Sequence, residues 1–289
     1  MRLHQGRDAS APRRIGMRAM RPRRRSRRRI RPALRLGGIV MVADRHRRLA
    51  EALPFSGGGP VADLGCGRGL TLRALRERVG RDVELVGVER DAKSLREDLA
   101  QDRNLRVVAN DLNAALPFPD ASFEAAVCHN TLECLPDKQS FLREASRVLA
   151  PGGHLLLSHT DFDTMVFNTS DIELTRTLVH ANADTQEAWM DAADGVIGRK
   201  LVAIARHSPF ELVDSLAWVI LDTAFEADGP AHTATRSIAA TVRRDGHHDL
   251  AARLSDWIDD LQSLAQRDEF LFSVNDYAVL LRKPSAALS

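Results

Sequence analysis

The sequence predicts an α/β protein built on a doubly wound, mostly parallel sheet. Apolar runs of strand length alternate with helical patterns between residues 60 and 158. Such alternation is typical of parallel sheets whose strands are joined by right-handed helical crossovers. In addition, the first apolar run leads into three glycines at every second position, followed directly by a helical pattern. This order of strand, glycine turn and helix is typical of nucleotide-binding folds.

The elements of the first half follow from the same alternation. Pro54 ends the first helical pattern, and Pro151 with two glycines separates a helix from the next strand. The predicted strands cover residues 60–64, 83–88, 105–109, 123–128 and 153–158. The predicted helices cover residues 43–53, 70–79, 91–101 and 138–149.

The second half has a different pattern. Residues 170–206 are predicted to be largely helical, 211–221 to form a strand, and 232–267 to form one or two helices. Residues 269–282 are rich in β-branched, aromatic and leucine side chains and are bounded by polar residues, which predicts a last strand.

The first 36 residues differ sharply in charge from the rest. They contain 14 arginines and one acidic residue, Asp8, for a charge of +13, whereas the remainder carries −11. Such a block is expected to be disordered when alone. It is interpreted as an arm for nucleic acid or anionic membranes, as an organellar presequence, or as an over-extended start before Met41. On the last interpretation residues 1–40 are an extension and 41–289 the working domain.

Composition and residue spacing argue against a membrane-spanning, secreted or metal-binding protein. The chain is 44% hydrophobic, and no apolar run approaches the roughly 18 residues that span a bilayer. There is no secretory signal pattern. Cys66, Cys128 and Cys134 lack metal-ligand or redox spacing, and the histidines lack partners at ligand spacing. We therefore expect a cytoplasmic protein with reduced thiols, no metal and no membrane partner; the oligomeric state stays open.

The glycine turn carries the strongest functional signal. Residues 61–69 read VADLGCGRG, so that Asp63 precedes Gly65, Gly67 and Gly69. Without Cβ atoms, a ligand can approach the backbone closely. A dinucleotide fingerprint requires a glycine at the sixth position, where this chain has Leu70. The alternative is the adenosyl-methionine turn of a methyltransferase.

Two later segments favour adenosyl-methionine over a dinucleotide. Glu89 ends the second strand, where an acid can accept hydrogen bonds from both ribose hydroxyls. Asp111 follows the third strand, and residues 116–123 read LPFPDASF before the fourth strand. Together with residues 148–154, VLAPGGH, this pattern resembles class I S-adenosylmethionine-dependent methyltransferases of the small-molecule, type 11 branch. Glu124 stands where that branch usually has aspartate.

The resemblance implies a seven-stranded sheet whose last strand, 269–282, lies antiparallel between the fifth and sixth. It also implies helical caps around residues 164–206 and 231–267. The cofactor would be S-adenosylmethionine, with Asp111 accepting the adenine amino group and Leu112 beside the ring. The implied cofactor-binding residues are Asp63, Gly65, Cys66, Gly67, Gly69, Glu89, Asp111, Leu112, His129 and Asn130.

The end of the fifth strand is the candidate acceptor side. A histidine side chain is suited to act as a general base, which makes His159 a candidate, and Asp161 could orient its ring or hold an acceptor ammonium. The expected function is methylation of a small-molecule acceptor, with O- or N-methylation ahead of C-methylation. One tyrosine and three tryptophans are few for base stacking, so no nucleic-acid partner is expected. The alternatives are an inactive cofactor-binding relative and an NAD(P)-dependent oxidoreductase.

Overall fold

The computed structural model describes residues 42–91, 99 and 101–285. Its strands are β1 Val61–Leu64, β2 Leu85–Glu89, β3 Leu105–Ala109, β4 Phe123–His129, β5 Leu149–Phe167, β6 Glu211–Asp222 and β7 Phe272–Arg282. Its helices are α1 Val42–Ala52, α2 Leu70–Val79, α3 Lys138–Val148, α4 Ile172–Ala183, α5 Leu201–Arg206, α6 Pro230–Arg244 and α7 His248–Gln266. The predicted arginine-rich extension, 1–40, and most of the helix expected over 91–101 lie outside the described residues.

The strands form one sheet in the order β3-β2-β1-β4-β5-β7-β6. β1 to β5 pair in parallel, whereas β7 is antiparallel to both β5 and β6. The predicted doubly wound, mostly parallel seven-stranded sheet is therefore confirmed, including the antiparallel last strand between the fifth and sixth. The strand order reverses between β1 and β4, and ligands bind at such a point in open α/β sheets.

Side-chain alternation along the central strands explains why helices cover both faces. Val61 and Leu85 belong to a core cluster with residues of α1 and α2, whereas Ala62 and Val86 belong to a second cluster with residues of α3 and α5. A strand buried on both faces reads as a continuous apolar run. All four residues of β1 are accordingly buried.

β5 is much longer than the predicted strand 153–158. It continues to Phe167, because its far end pairs with β7 down to the register Phe167 with Phe272. Residues 164–167, expected to begin a helical cap, are therefore strand. Residues 184–196, within the segment predicted as largely helical, are turns and loop.

The extended ends of β5, β6 and β7 hold a third core cluster together with α4, α6 and α7, including Phe167, Ile220 and Trp257. α5 instead packs with the main sheet through Leu201 and Ala205. Among the described residues, no helix combines the length and the apolar character needed to cross a membrane.

Glu124 anchors the glycine-rich connection before β1. Its carboxylate accepts backbone N–H bonds from Gly58 at 2.8 Å and Gly59 at 2.9 Å, as well as one from Ser56. A hydrogen bond from the Ser56 hydroxyl at 2.6 Å, together with these backbone bonds, holds the pKa of Glu124 below its usual value. The longer glutamate therefore has a structural role at the end of the sheet opposite the glycine turn.

Candidate active site

A cavity of about 560 Å³ lies at the carboxyl ends of β1, β2 and β3. Parallel strands place their following loops at one edge, so the cavity gathers residues that are distant in sequence. Its walls combine glycine backbone, carboxylates, amides and apolar side chains. They are Gly65, Gly67, Glu89, Arg90, Asp91, Asn110, Asp111, Leu112, Asn130, Thr131, Cys134, Leu135 and Trp189.

The glycine turn needs its glycines for two different reasons. Gly65, Gly67 and Gly69 all have left-handed backbone conformations, with φ of +83°, +47° and +84°. A Cβ on Gly65 would lie 2.3 Å from the Thr131 hydroxyl, whereas a Cβ on Gly67 meets no described atom within 4 Å. Gly65 is therefore required for packing, and Gly67 leaves open space at the cavity wall. Gly69 caps the start of α2.

Cys66 has a structural position within the same turn. Its side chain is buried in the cluster that contains α1 and α2, and it does not line the cavity. Burial raises the pKa of its thiol above the usual range. Only the Cys66 backbone can therefore serve the binding role expected for it from the sequence.

Glu89 ties the glycine turn to the end of β2. Its Oε2 accepts a hydrogen bond from the Gly67 backbone N–H at 2.8 Å, and its Oε1 accepts one from the Arg90 backbone at 2.8 Å. The Glu89 Oε1 also accepts the Asp91 backbone N–H at 3.3 Å. A carboxylate has about four acceptor positions, so these three bonds leave capacity for a ligand hydroxyl, chiefly on Oε2. Because Glu89 also lines the cavity, that capacity lies where a bound molecule can use it.

Asp63 lies beneath the turn and is only 1% exposed. Its Oδ2 has no hydrogen-bond partner among the described residues. Burial, and then the nearby Glu89 charge, raise the pKa of Asp63 to about 8. An unsatisfied buried carboxyl is costly, and a cation brought near it would favour its charged form.

Asp111 and the loop after α4 form the outer wall. The Asp111 Oδ1 accepts the Asn113 backbone N–H at 2.9 Å, and Arg90 bonds Asp191 at 2.7 Å. Trp189, on the same loop, lines the cavity and is 62% exposed. Trp189, Arg90 and Thr131 also line the cavity, although no sequence pattern singles them out. A lone tryptophan in a polar segment belongs to no motif. Because the chain has only three tryptophans, one in a polar segment could still have been noted as a candidate ligand contact.

Asn130 and His129, adjacent at the end of β4, have different positions. Asn130 has a φ of +50° and lines both this cavity and a second, smaller one. His129 lines neither cavity; its ring meets His46 edge to face at 5.5 Å. Burial lowers the pKa of His129 well below its usual value. The structure thus places His129 away from the cofactor position expected for it.

His159 and Asp161 also lie away from their expected place. Both are fully buried, and neither lines either cavity. The Nε2 of His159 lies 3.4 Å from the Glu133 carboxylate, and Asp161 pairs with Arg199 through two bonds of 2.6 Å. Their neighbours Thr160 and Phe162 line the second cavity instead. Side chains alternate along a strand, so Thr160 and Phe162 share one face of β5, and Met165, within the register shift between Asp161 and Val166, lines the same cavity.

The comparisons with known proteins agree with this geometry. Residues 62–157 match the family described as "Methyltransferase domain". The chain is 38% identical over 117 residues to 27-O-demethylrifamycin SV methyltransferase of Amycolatopsis mediterranei, covering 38% of this chain and 42% of that protein. It is 30% identical over 170 residues to 2-phytyl-1,4-naphtoquinone methyltransferase of Synechococcus elongatus, covering 53% and 72%.

A solved structure shares the fold. A Bacillus halodurans protein matches with a TM-score of 0.57 at 18% identity, covering 84% of this chain and all of the other. The chain spans less than half the length of several curated relatives it matches, the rifamycin enzyme included. The naphthoquinone methyltransferase shows the family, because this chain is 30% identical to it and covers 72% of its length. The chain belongs to the class I S-adenosylmethionine-dependent methyltransferases, in the type 11 branch.

Proposed function

We propose that this protein transfers a methyl group from S-adenosylmethionine to the oxygen or nitrogen of a small-molecule acceptor. The observation that carries the proposal is the single cavity that joins Gly65 and Gly67, Glu89, and Asp111 with Leu112. These residues come from the ends of three neighbouring strands. Their combination of open backbone, carboxylates and an apolar side chain fits a nucleoside with a charged tail.

The residues fit each part of the cofactor. Glu89 would accept the ribose hydroxyls, while Asp111 and Leu112 would hold the adenine. Asp63 is buried beneath the turn and does not itself line the cavity, so its unsatisfied Oδ2 would accept the cofactor's ammonium through a water. When bound, the cofactor supplies an electrophilic methyl group on a sulfonium. The chain's part is to orient the acceptor in line with that methyl group and to exclude water, which by itself accelerates transfer greatly.

The names of two relatives support a small-molecule acceptor. One refers to a rifamycin and the other to a naphthoquinone.

The first test is ligand binding. We expect S-adenosylhomocysteine to bind with micromolar affinity and NADH to show no binding, both measured by calorimetry. NADH binding without a response to S-adenosylhomocysteine would contradict the proposal. Labelled S-adenosylmethionine with a panel of phenols, amines and carboxylic acids then tests turnover. Cofactor binding without transfer to any member would favour the inactive relative.

Trp189 offers an optical test of where the ligand lies. Its exposed indole lines the cavity, whereas Trp257 is buried in the third cluster. We expect S-adenosylhomocysteine to change the tryptophan emission and Trp189→Phe to remove most of that change. Trp218→Phe, on β6, is the matched control and should leave it intact. An unchanged response in Trp189→Phe would place the ligand elsewhere.

A further inference from the structure

A second cavity, of about 230 Å³, adjoins the first. Asn130 lines both, so the two cavities share a wall at the end of β4. The second cavity lies among the ends of β5, β6 and β7, the start of α6, and Arg45 of α1. Most of its lining is apolar: Phe162, Met165, Ile220, Pro230, Ala234, Phe272 and Val274. An apolar molecule placed here would lie next to whatever fills the first cavity.

A buried chain of hydrogen bonds crosses one wall of this cavity. The Arg45 Nε donates to Asp276 at 2.6 Å, and the Thr160 hydroxyl donates to the other Asp276 oxygen at 2.7 Å. The Thr160 backbone N–H donates in turn to the Asn130 side chain at 2.8 Å. Asp276 is 1% exposed and Thr160 2%. This buried hydrogen-bond network therefore holds the Arg45 side chain in a defined position.

Arg45 keeps donors available for a ligand. A guanidinium has five N–H donors, and among the described residues only the Nε of Arg45 has a hydrogen-bond partner. Its two terminal amino groups form a planar edge that matches a carboxylate or a phenolate oxygen. Among the described residues that line this cavity or belong to its hydrogen-bond network, Asp276 is the only acidic one, and its two oxygens already accept bonds from Arg45 and Thr160.

The nearby histidines do not compete as cations. Burial, and then the Arg45 charge, lower the pKa of His46 to about 4, and burial lowers that of His129 as well. Both rings are thus neutral near pH 7. Arg199 lies with Asp161 on the other face of β5. Arg45 is the one cationic side chain that lines the second cavity among the described residues.

We propose that the second cavity binds the acceptor and selects a small, one-ring molecule whose oxyanion pairs with the terminal amino groups of Arg45. This inference rests on the proposed function, because it takes the adjoining cavity as the cofactor site. A cavity of about 150 Å³ accommodates benzene, so 230 Å³ admits one substituted ring. Carboxylate and phenolate share the required chemistry, and the test separates them.

The test uses benzoate, its neutral counterpart benzamide, and 4-nitrophenol, each titrated by calorimetry into protein saturated with S-adenosylhomocysteine. We expect benzoate, 4-nitrophenol or both to bind at least about tenfold more tightly than benzamide, since an anion gains a charged pair. The colour of bound 4-nitrophenol reports whether it is ionised. If only benzoate binds more tightly than benzamide, the group that pairs with Arg45 is a carboxylate. If only 4-nitrophenol does so, and binds in its ionised form, that group is a phenolate.

The variants assign the preference to Arg45. Arg45→Met should abolish it and Arg45→Lys should retain part of it, whereas Arg48→Met, on the same helix, should leave it unchanged. If Arg45→Met does not fold, Arg45→Gln replaces it, because its amide can still donate to Asp276. Arg45→Gln should likewise lose the preference for an anion over benzamide.

The two proposals fail in different ways. If the wild-type protein does not bind S-adenosylhomocysteine, the proposed function is overturned. If it binds but shows no anion preference, or keeps that preference in a folded Arg45→Met or Arg45→Gln protein, the oxyanion cavity is overturned and the methyltransferase proposal stands.

Discussion

Gly67→Val is expected to weaken the binding of S-adenosylhomocysteine by about 100-fold or more, equivalent to about 2.7 kcal/mol. Gly67 lines the cavity, and apart from its own chain neighbours no described residue has an atom within 4 Å of the position that its Cβ would take. The valine side chain would therefore occupy ligand space without displacing described protein atoms. The measurement is calorimetric affinity, together with the thermal unfolding midpoint of the variant.

The substitution also strains the backbone, which needs a control. Gly67 has a φ of +47°, and a side chain in this left-handed region costs about 1–2 kcal/mol. Gly246→Val is matched: Gly246 has a φ of +71° and equally open surroundings, between α6 and α7. We expect a comparable loss of stability there and unchanged affinity. Wild-type affinity in folded Gly67→Val would show that the ligand does not lie on this turn.

The second large effect is expected at Asp63. Its pKa of about 8 means that the carboxyl is mostly protonated at pH 7 in the free protein. A bound ammonium favours the ionised form, so binding near pH 7 should release close to one proton. Affinity should then rise between pH 6 and pH 8, by up to about tenfold per unit. Calorimetry in buffers of different ionisation enthalpy measures the released proton directly.

Asp63→Asn should remove both the proton release and the pH dependence of binding. Asparagine has nearly the same shape but does not titrate, so proton release and the rise between pH 6 and pH 8 should disappear, and affinity at pH 8 should fall about tenfold or more. Persistent proton release in Asp63→Asn would assign the titration to another group.

The same pKa predicts how stability varies with pH. Because the folded pKa of Asp63 lies above its unfolded value of 3.8, its contribution is most favourable below about pH 4 and is lost as the pH rises to about 8. Without ligand, Asp63→Asn should therefore unfold at a higher temperature than the wild type at pH 8, with a smaller difference at pH 5. A constant difference would contradict a raised pKa.

The cofactor half of the site was largely predictable. Gly65, Gly67, Glu89, Asp111, Leu112 and Asn130, all expected to bind the cofactor, line the same cavity. Each follows or ends a strand with a clear apolar pattern, and parallel strands bring such positions to one edge. Local sequence therefore contains nearly all the information needed to assemble them, although their contacts with a cofactor stay predictions.

The residues that line the second cavity were not predictable, and β5 shows why. The sequence identifies the strand but not which of its two alternating sets of side chains faces the cavity. Its pairing with β7, from His154 opposite Arg282 to Phe167 opposite Phe272, places Thr160 and Phe162 at the second cavity and His159 against Glu133. A strand paired on both sides has its facing decided by register with partners far away in sequence.

The sequence by itself determined the sheet, its strand types and the glycine turn, because those features depend on apolar periodicity and on backbone conformations that glycine favours. Only the tertiary structure decided which residues surround the second cavity and the outer wall of the first. Arg45 and Asp276 are separated by 231 positions, and Trp189 comes from a loop with no motif. Contacts of that kind arise when separate elements pack, and no local pattern in the chain encodes them.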